Sequence, residues 1–274
     1  MNGMDSPISP LTDREFGLFQ QFIAQAAGIA LSPAKKPLVS GRLTKRLHQC
    51  QIVSFGDYFK LISGGTAPDE TQLAIDLLTT NETYFFRESQ HFDLLRKLAA
   101  KPRSSHRPWR VWSAACATGE EAYSIAMVLA DVLPAAEWEV VASDISARVL
   151  ATARHGHYPM VRAQHIPPSY LQRFCLKGFG PEEGTLLVSR ALRERVDFLR
   201  INLNAPTLPP LDRFDVIFLR NVLIYFSPEV RRHVVSRVLD LLRPGGYLFI
   251  GHAESLHDCL GPIEAEAPSV YRKV

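Results

Sequence analysis

The chain has 274 residues, 46% hydrophobic and 22% charged, with a formal net charge of +3. That length supports one or two domains with a substantial core, and no apolar run approaches the ~18 residues of a membrane span. The net charge is too slight to argue for nucleic acid as a partner. Cys50, Cys116, Cys175 and Cys259 stand far apart with no CxxC pair, which suits reduced thiols rather than a disulfide frame or a zinc site. His155 and His157 stand close together, but no carboxylate or cysteine cluster completes a metal site there, and none is expected. The N-terminus lacks the charged and apolar regions of a signal peptide.

Residues 13–27 carry Phe16, Phe19, Phe22 and Ile23 at helical spacing, with Thr12 as N-cap and Gly28 as the stop. A second helix runs from about 34–36 to Gln49, with Pro37 tolerated in its first turn. Leu43 and Leu47 form its apolar stripe, while Arg42, Lys45, Arg46 and Gln49 share another face. Lys35, Lys36, Arg42, Lys45 and Arg46 follow one another with no acid between them. Two readings of that face stand open: a solvated surface, or a docking face for an acidic partner, either phosphate or a Glu-rich helical protein. A third helix opens at Ser54 and Phe55, and a fourth covers 70–78, so that 1–80 reads as a small all-helical domain.

The junction at 77–88, LLTTNETYFFRE, runs from Thr80, Asn81, Glu82 and Thr83 into three aromatics and then Arg87. It reads either as a helix N-cap followed by buried aromatics, or as a segment reaching over a cofactor pocket. Beyond it come a helix at 90–98, a polar linker at 101–108, and a strand at 109–115. A helix at 122–133, a strand at 137–143 ending in Asp144, and a helix at 147–154 follow. A strand at 214–221, a helix at 228–242, a Pro-Gly-Gly turn and a strand at 247–252 complete the pattern. This alternation predicts a mostly parallel, doubly wound α/β sheet with its ligand at the carboxyl edge.

The strand ends carry the chemistry. Thr118-Gly119 turns into a helix beginning with Glu120 and Glu121. Backbone N–H groups at such a turn suit an anion, yet two carboxylates there repel a pyrophosphate and suit a cationic ligand. Asp144 is placed like the acid that holds ribose hydroxyls, and G-x-G-x-x-G is absent. A ribose, a positive charge and no phosphate binder favour S-adenosylmethionine over NAD, with Glu120 as a solvated first-turn residue left open. Strand-like runs at 174–177 and 185–189 flank Gly178, Gly180 and Gly184. They predict a small antiparallel β-subdomain at about 165–200, whose edge can accept a peptide as an added strand.

The motifs GIALSPAKKPLVSGRLTKRL, NETYFFRE, WSAACATGEEAYSIAM, VVASDIS, INL at 201–203, FDVIFLRNVLIYF and RPGGYLFIGHAESL occur in this order. On them the chain resembles the CheR family of chemotaxis receptor glutamate O-methyltransferases, over nearly its whole length. NETYFFR and FLRNVLIYF are the specific motifs, whereas a glycine turn followed by Asp144 is common to many methyltransferases. The resemblance implies an S-adenosylmethionine-dependent methyltransferase domain at 81–274, with the β-subdomain inserted and the helical domain in front. It implies methylation of glutamate carboxylates on the cytoplasmic methylation helices of chemoreceptors, with S-adenosylhomocysteine as product.

By matching positions, the resemblance implies that Asn81, Thr83 and Arg87 contact the cofactor, Arg87 nearest the methyl-transfer centre. It assigns Glu121 to the methionine ammonium, Asp144 to the ribose, Asn202 and Leu203 to the adenine side, and Arg220 and Asn221 to the end of the fourth strand. Tyr225 resembles the tyrosine beside the reactive methyl, although its place in VLIYF leaves a core role open. Lys36, Arg42, Lys45 and Arg46 look like docking residues for the receptor bundle. Gly178 and Gly180 look like part of the loop with which some members bind a receptor C-terminal pentapeptide. The family further implies a cytoplasmic bacterial monomer recruited to membrane receptors, neither inserted in the membrane nor bound to nucleic acid. Two departures fall in the first turn: Ala117 where members often have Ser, and Ala122 where Pro is common.

Overall fold

The computed structural model describes residues 8–102, 107–259 and 261–274. The N-terminal stretch read for a signal peptide and the middle of the polar linker lie largely outside the described residues. The chain divides into two units, one formed by 1–80 with 225–227 and the other by 81–224 with 228–274.

The helical unit contains α1 (Asp13–Ala27), α2 (Lys36–Gln49), α3 (Phe55–Ser63) and α4 (Pro68–Leu78). Thr12 and Glu15 form a reciprocal capping box at the start of α1, and Gly28 closes it at φ 73°. Phe19, Ile23, Val39, Leu43, Leu47, Phe55 and Tyr58 are its buried centre.

Two residues of the basic face of α2, Arg42 and Arg46, turn toward α4 rather than toward open solvent. The last carbonyls of a helix have no partner within it and need outside donors. Arg42 Nη1 supplies one, donating to Thr79 O at 2.7 Å and Leu77 O at 3.2 Å. At the other end of α4, Arg46 grips Glu70 with Nε at 2.9 Å, and Tyr58 Oη donates to the same carboxylate at 2.7 Å. Lys36 reaches Asp13 at 2.6 Å. Lys45 is exposed. In the same unit, Ile29 bridges Phe226, and Ala30 N–H donates to Tyr225 O at 2.8 Å.

The second unit opens with α5 (Gln90–Ala99) and β1 (Trp109–Ser113), then α6 (Glu120–Val132), β2 (Trp138–Asp144) and α7 (Ala147–His155). An excursion holds β3 (His157–Pro159), α8 (Pro168–Phe174), β4 (Cys175–Lys177), β5 (Thr185–Val188) and α9 (Arg190–Arg193). The main sheet resumes with β6 (Val196–Arg200), β7 (Phe214–Leu219), α10 (Pro228–Leu241), β8 (Leu242–Ile250), β9 (Ile263–Ala267) and β10 (Val270–Lys273). Seven strands lie in the order β6-β2-β1-β7-β8-β10-β9. The first five are parallel, and β10 and β9 are antiparallel additions at the edge. The direction of winding reverses between β1 and β7, the switch point at which doubly wound sheets hold their ligands.

Its core is strongly aromatic. Phe218 and Phe249 stack at 4.6 Å, and Phe92 lies over Phe218 at 5.9 Å. Two features differ from the sequence reading. The Pro-Gly-Gly stretch is a strand irregularity within β8, where register shifts opposite Phe214 and Val216, rather than a turn before it. Gly246 is required there, because a Cβ would stand 2.9 Å from Asp215 O. The terminal strands β9 and β10 escape a pattern search because β9, IEAEA, is an exposed edge with no buried alternation.

The antiparallel subdomain has the order β3-β5-β4 and draws its first strand from 157–159, ahead of the expected window. Gly178 is a close-approach glycine: a Cβ would meet Glu182 O at 2.0 Å. Gly180 instead serves a left-handed turn at φ 60°. Leu176 on the edge strand β4 is 58% exposed and Phe179 beside it is 85% exposed. No helix among the described residues is long and apolar enough to cross a membrane.

Candidate active site

Four adjacent parallel strands end on one edge of the sheet. β1 ends at Ser113, whose hydroxyl donates to Glu121 Oε1 at 2.7 Å across the turn into α6. β2 ends at Asp144, β6 leads to Asn202 and Leu203, and β7 leads to Arg220 and Asn221.

Arg220 is the hub. Its side chain is buried over the rings of Phe92 at 5.6 Å and Phe218 at 5.9 Å. Nη1 donates to Glu121 Oε2 at 3.0 Å, Nη2 donates to Glu88 Oε2 at 2.9 Å, and Nη2 also reaches the carbonyl of Arg87. Burial works to raise Glu88, but the charge and hydrogen bonds of Arg220 hold its carboxyl below the usual range. Burial raises Glu121 above that range even with Arg220 beside it. His91, in the first turn of α5, is pushed down to about 4 by burial and then by Arg220, so its ring is neutral.

Asp144 is committed on both oxygens. Oδ2 accepts from Ala117 N at 3.0 Å and Oδ1 from Ser146 N at 2.9 Å, which fastens the β1–α6 turn to β2. Asn202 Oδ1 accepts from Asn204 N at 2.9 Å, and Leu203 O accepts from Arg237 Nη2 at 2.7 Å.

The junction segment is not a helix cap. Residues 80–88 lie outside regular helix, Phe85 is fully buried edge-on to Tyr158 at 5.1 Å, and Phe86 lies 5.1 Å from Phe92. Phe86 N donates to Ser124 Oγ at 3.0 Å, and Thr83 O accepts from Arg162 at 3.1 Å. Arg87 Nη1 donates to Glu82 O at 2.9 Å and lies 5.8 Å from the Tyr84 ring. Asn81 is half-buried at the start of the segment.

Backbone strain concentrates here. Phe86, Glu88, Ala117 and Asn221 all have positive φ, four of the six such non-glycine residues among the described residues. Such conformations cost roughly 1–3 kcal/mol each and persist where surrounding contacts enforce them. At Asn221 the enforcer is Glu254. Its Oε2 accepts from Asn221 N at 2.8 Å and Gly251 N at 2.6 Å, and its Oε1 accepts from Leu223 N at 2.7 Å.

Glu120 is fully buried and paired with Arg162, so it is not a solvated first-turn residue. Tyr225 is half-buried rather than core, in a 3₁₀ turn at Leu223–Tyr225, and 225–227 belong to the helical unit. The sequence reading gave no role to Glu88, Arg162 or Glu254. Glu88 and Glu254 do lie inside the family motifs, whereas Arg162 has no signal because its partner stands 42 residues away.

This donor set fits a ligand with an ammonium and a ribose. Carboxylates stand at two strand ends, no phosphate-binding glycine loop is present, and Arg220 Nε is a buried donor without a partner. The family described as "CheR methyltransferase, SAM binding domain" matches residues 81–266, and "CheR methyltransferase, all-alpha domain" matches 14–79. The chemotaxis protein methyltransferase of Escherichia coli (strain K12) is 43% identical over 247 residues, covering 89% of this chain and 85% of that one. That of Salmonella typhimurium is 40% identical over 263 residues, covering 95% and 90%. Chemotaxis protein methyltransferase 2 of Pseudomonas aeruginosa is 39% identical over 262 residues, covering 95% and 93%. Both parts of the chain are thus matched, and it belongs to the CheR family of chemotaxis methyltransferases, with S-adenosylmethionine as its cofactor.

Proposed function

We propose that this chain methylates glutamate side-chain carboxylates on the cytoplasmic methylation helices of chemoreceptors, leaving methyl esters and S-adenosylhomocysteine. The main support is the convergence of Asp144, Glu121, Asn202 and Arg220 with Asn221 at the ends of four adjacent parallel strands. These are the positions at which the family motifs carry cofactor ligands. In this reading Glu121 takes the ammonium, Asp144 the ribose hydroxyls, and Asn202 and Leu203 the adenine. Asn81, Thr83, Arg220 and Asn221 complete the enclosure.

Bound S-adenosylmethionine supplies an electrophilic sulfonium methyl. A glutamate carboxyl ordinarily titrates at about 4.3, so it is already ionised at neutral pH and needs no general base. The chain's work is therefore alignment and exclusion of water, which can contribute roughly 7–11 kcal/mol. Arg87 positions the substrate carboxylate and Tyr225 orients the methyl donor. On the helical unit, Lys36 and Lys45 meet the acidic receptor helices, while Arg42 and Arg46 hold α2 rigid against α4 as well as adding charge. The β4 edge, with exposed Leu176 and Phe179 beside Gly178 and Gly180, receives a receptor C-terminal peptide as an added strand. The enzyme acts as a cytoplasmic monomer recruited to its membrane receptors.

Arg87→Ala tests the division of labour. Turnover is expected to fall by roughly 100-fold while cofactor affinity, measured by calorimetry, changes by less than about threefold. Equal losses in both would refute it.

A further inference from the structure

Glu88, His91 and His252 form a cluster behind the cofactor site, in which Glu88 is already the partner of Arg220 and the two histidines have no role in the reading above. His91 is 2% exposed, and neither of its ring nitrogens completes a hydrogen bond. Its Nδ1 lies 3.5 Å from Glu88 Oε2, and His252 Nε2 lies 3.9 Å from the same oxygen. One ligand atom from each residue can be drawn so that all lie within 4.8 Å of one another. Buried polar atoms are nearly always satisfied, so a buried imidazole with no well-formed hydrogen bond on either nitrogen demands an explanation. Nδ1 and Glu88 Oε2 face each other across 3.5 Å with no hydrogen bond between them, a gap of the width that a shared cation bridges. The Pro268 carbonyl also approaches the ring. Metal-bound imidazoles commonly donate their second nitrogen to such a carbonyl.

We propose that these residues bind a divalent transition-metal ion of the zinc class through His91 Nδ1, His252 Nε2 and Glu88 Oε2, with water in the open position. Two imidazoles and one carboxylate select borderline ions over magnesium or calcium, which prefer all-oxygen shells. Bonds of about 2.0–2.2 Å place neighbouring ligand atoms about 3–3.5 Å apart. The His91–Glu88 pair already has that spacing. His252 must close in slightly, and as an exposed residue with a side chain 46% accessible it is free to do so and gives the ion its entry path.

The obvious objection is Arg220, which shares Glu88. Two carboxylates, Glu88 and Glu121, face that one guanidinium, so its charge is already matched before an ion arrives. A hydrogen-bonded outer partner is what ligating carboxylates ordinarily have, and Arg220 is that partner.

The test is calorimetric titration of zinc chloride into the chelator-stripped full chain, a readout separate from methyl transfer. One ion per chain is expected. His252→Ala, at an exposed position where the fold is not at stake, is expected to weaken binding by about 100-fold, while His155→Ala on exposed α7 leaves it unchanged. Cobalt bound in place of zinc is expected to give visible absorption that His252→Ala removes. No binding up to about 1 mM, or binding that His252→Ala leaves intact, overturns the assignment.

Discussion

Arg220→Ala is expected to lower the unfolding free energy by about 3–5 kcal/mol near neutral pH and to abolish measurable cofactor binding. Arg220 is 4% exposed, and its guanidinium is the shared cation for two largely buried carboxylates. Removing it leaves both uncompensated, and strips a cation from the faces of Phe92 and Phe218.

The pH dependence separates this cause from simple cavity formation. Glu88, depressed in the folded state, contributes stability above its unfolded pKa, and that contribution is lost as pH falls through the folded value. Glu121 is raised, so its folded-state preference for the neutral form favours folding at low pH and is lost as pH rises through the folded value. Without Arg220 both carboxyls move upward. The deficit of the variant is therefore expected to be greatest near neutrality and to shrink below about pH 5, measured by urea unfolding across that range. A deficit that does not change with pH contradicts the assignment. Arg220→Lys restores charge but not the two-pronged geometry, and recovers only part of the loss.

Glu254→Gln is expected to cost about 2–4 kcal/mol, although it changes neither shape nor volume. The two oxygens of Glu254 each serve backbone donors, Oε2 those of Asn221 and Gly251, Oε1 that of Leu223. An amide can satisfy one side only and turns its NH₂ toward N–H groups on the other. Asn221 is then no longer held at φ 58°, and the turn that leads to Tyr225 loses its anchor. There is no room for a compensating shift, because even a Cβ on Gly251 would stand 2.4 Å from Asn221 Nδ2. Cofactor affinity is expected to fall together with the melting temperature. A Glu254→Gln protein as stable as the parent would show that the clamp is incidental.

Most regular elements were legible because periodicity and caps are local. Thr12, Glu15 and Gly28 announce α1 from neighbouring residues alone, and apolar runs mark the central strands. The basic face of α2 was visible as a pattern but not in its destination. Arg42 turns inward because the end of α4 exposes carbonyls, and those lie 35–37 residues away. The same limit hid the site's supports. Glu88 meets Arg220 across 132 residues and Glu254 meets Asn221 across 33, so no spacing rule links either pair. The fully buried Glu120 looked like an ordinary first-turn acid because its neutralising partner, Arg162, comes from the excursion after β3. Family motifs name the residues proposed as ligands, whereas the residues that hold them in place come from distant segments and meet them only in the fold.

A glutamate carboxylate as the acceptor of the methyl group is tested most directly with methyl-labelled S-adenosylmethionine. The chain is incubated with it and chemoreceptor membranes, and the product is then treated with mild base. The expected result is label on the receptor that is released by base as methanol, the behaviour of a carboxyl methyl ester. Label that survives base, or none on the receptor, would contradict the account.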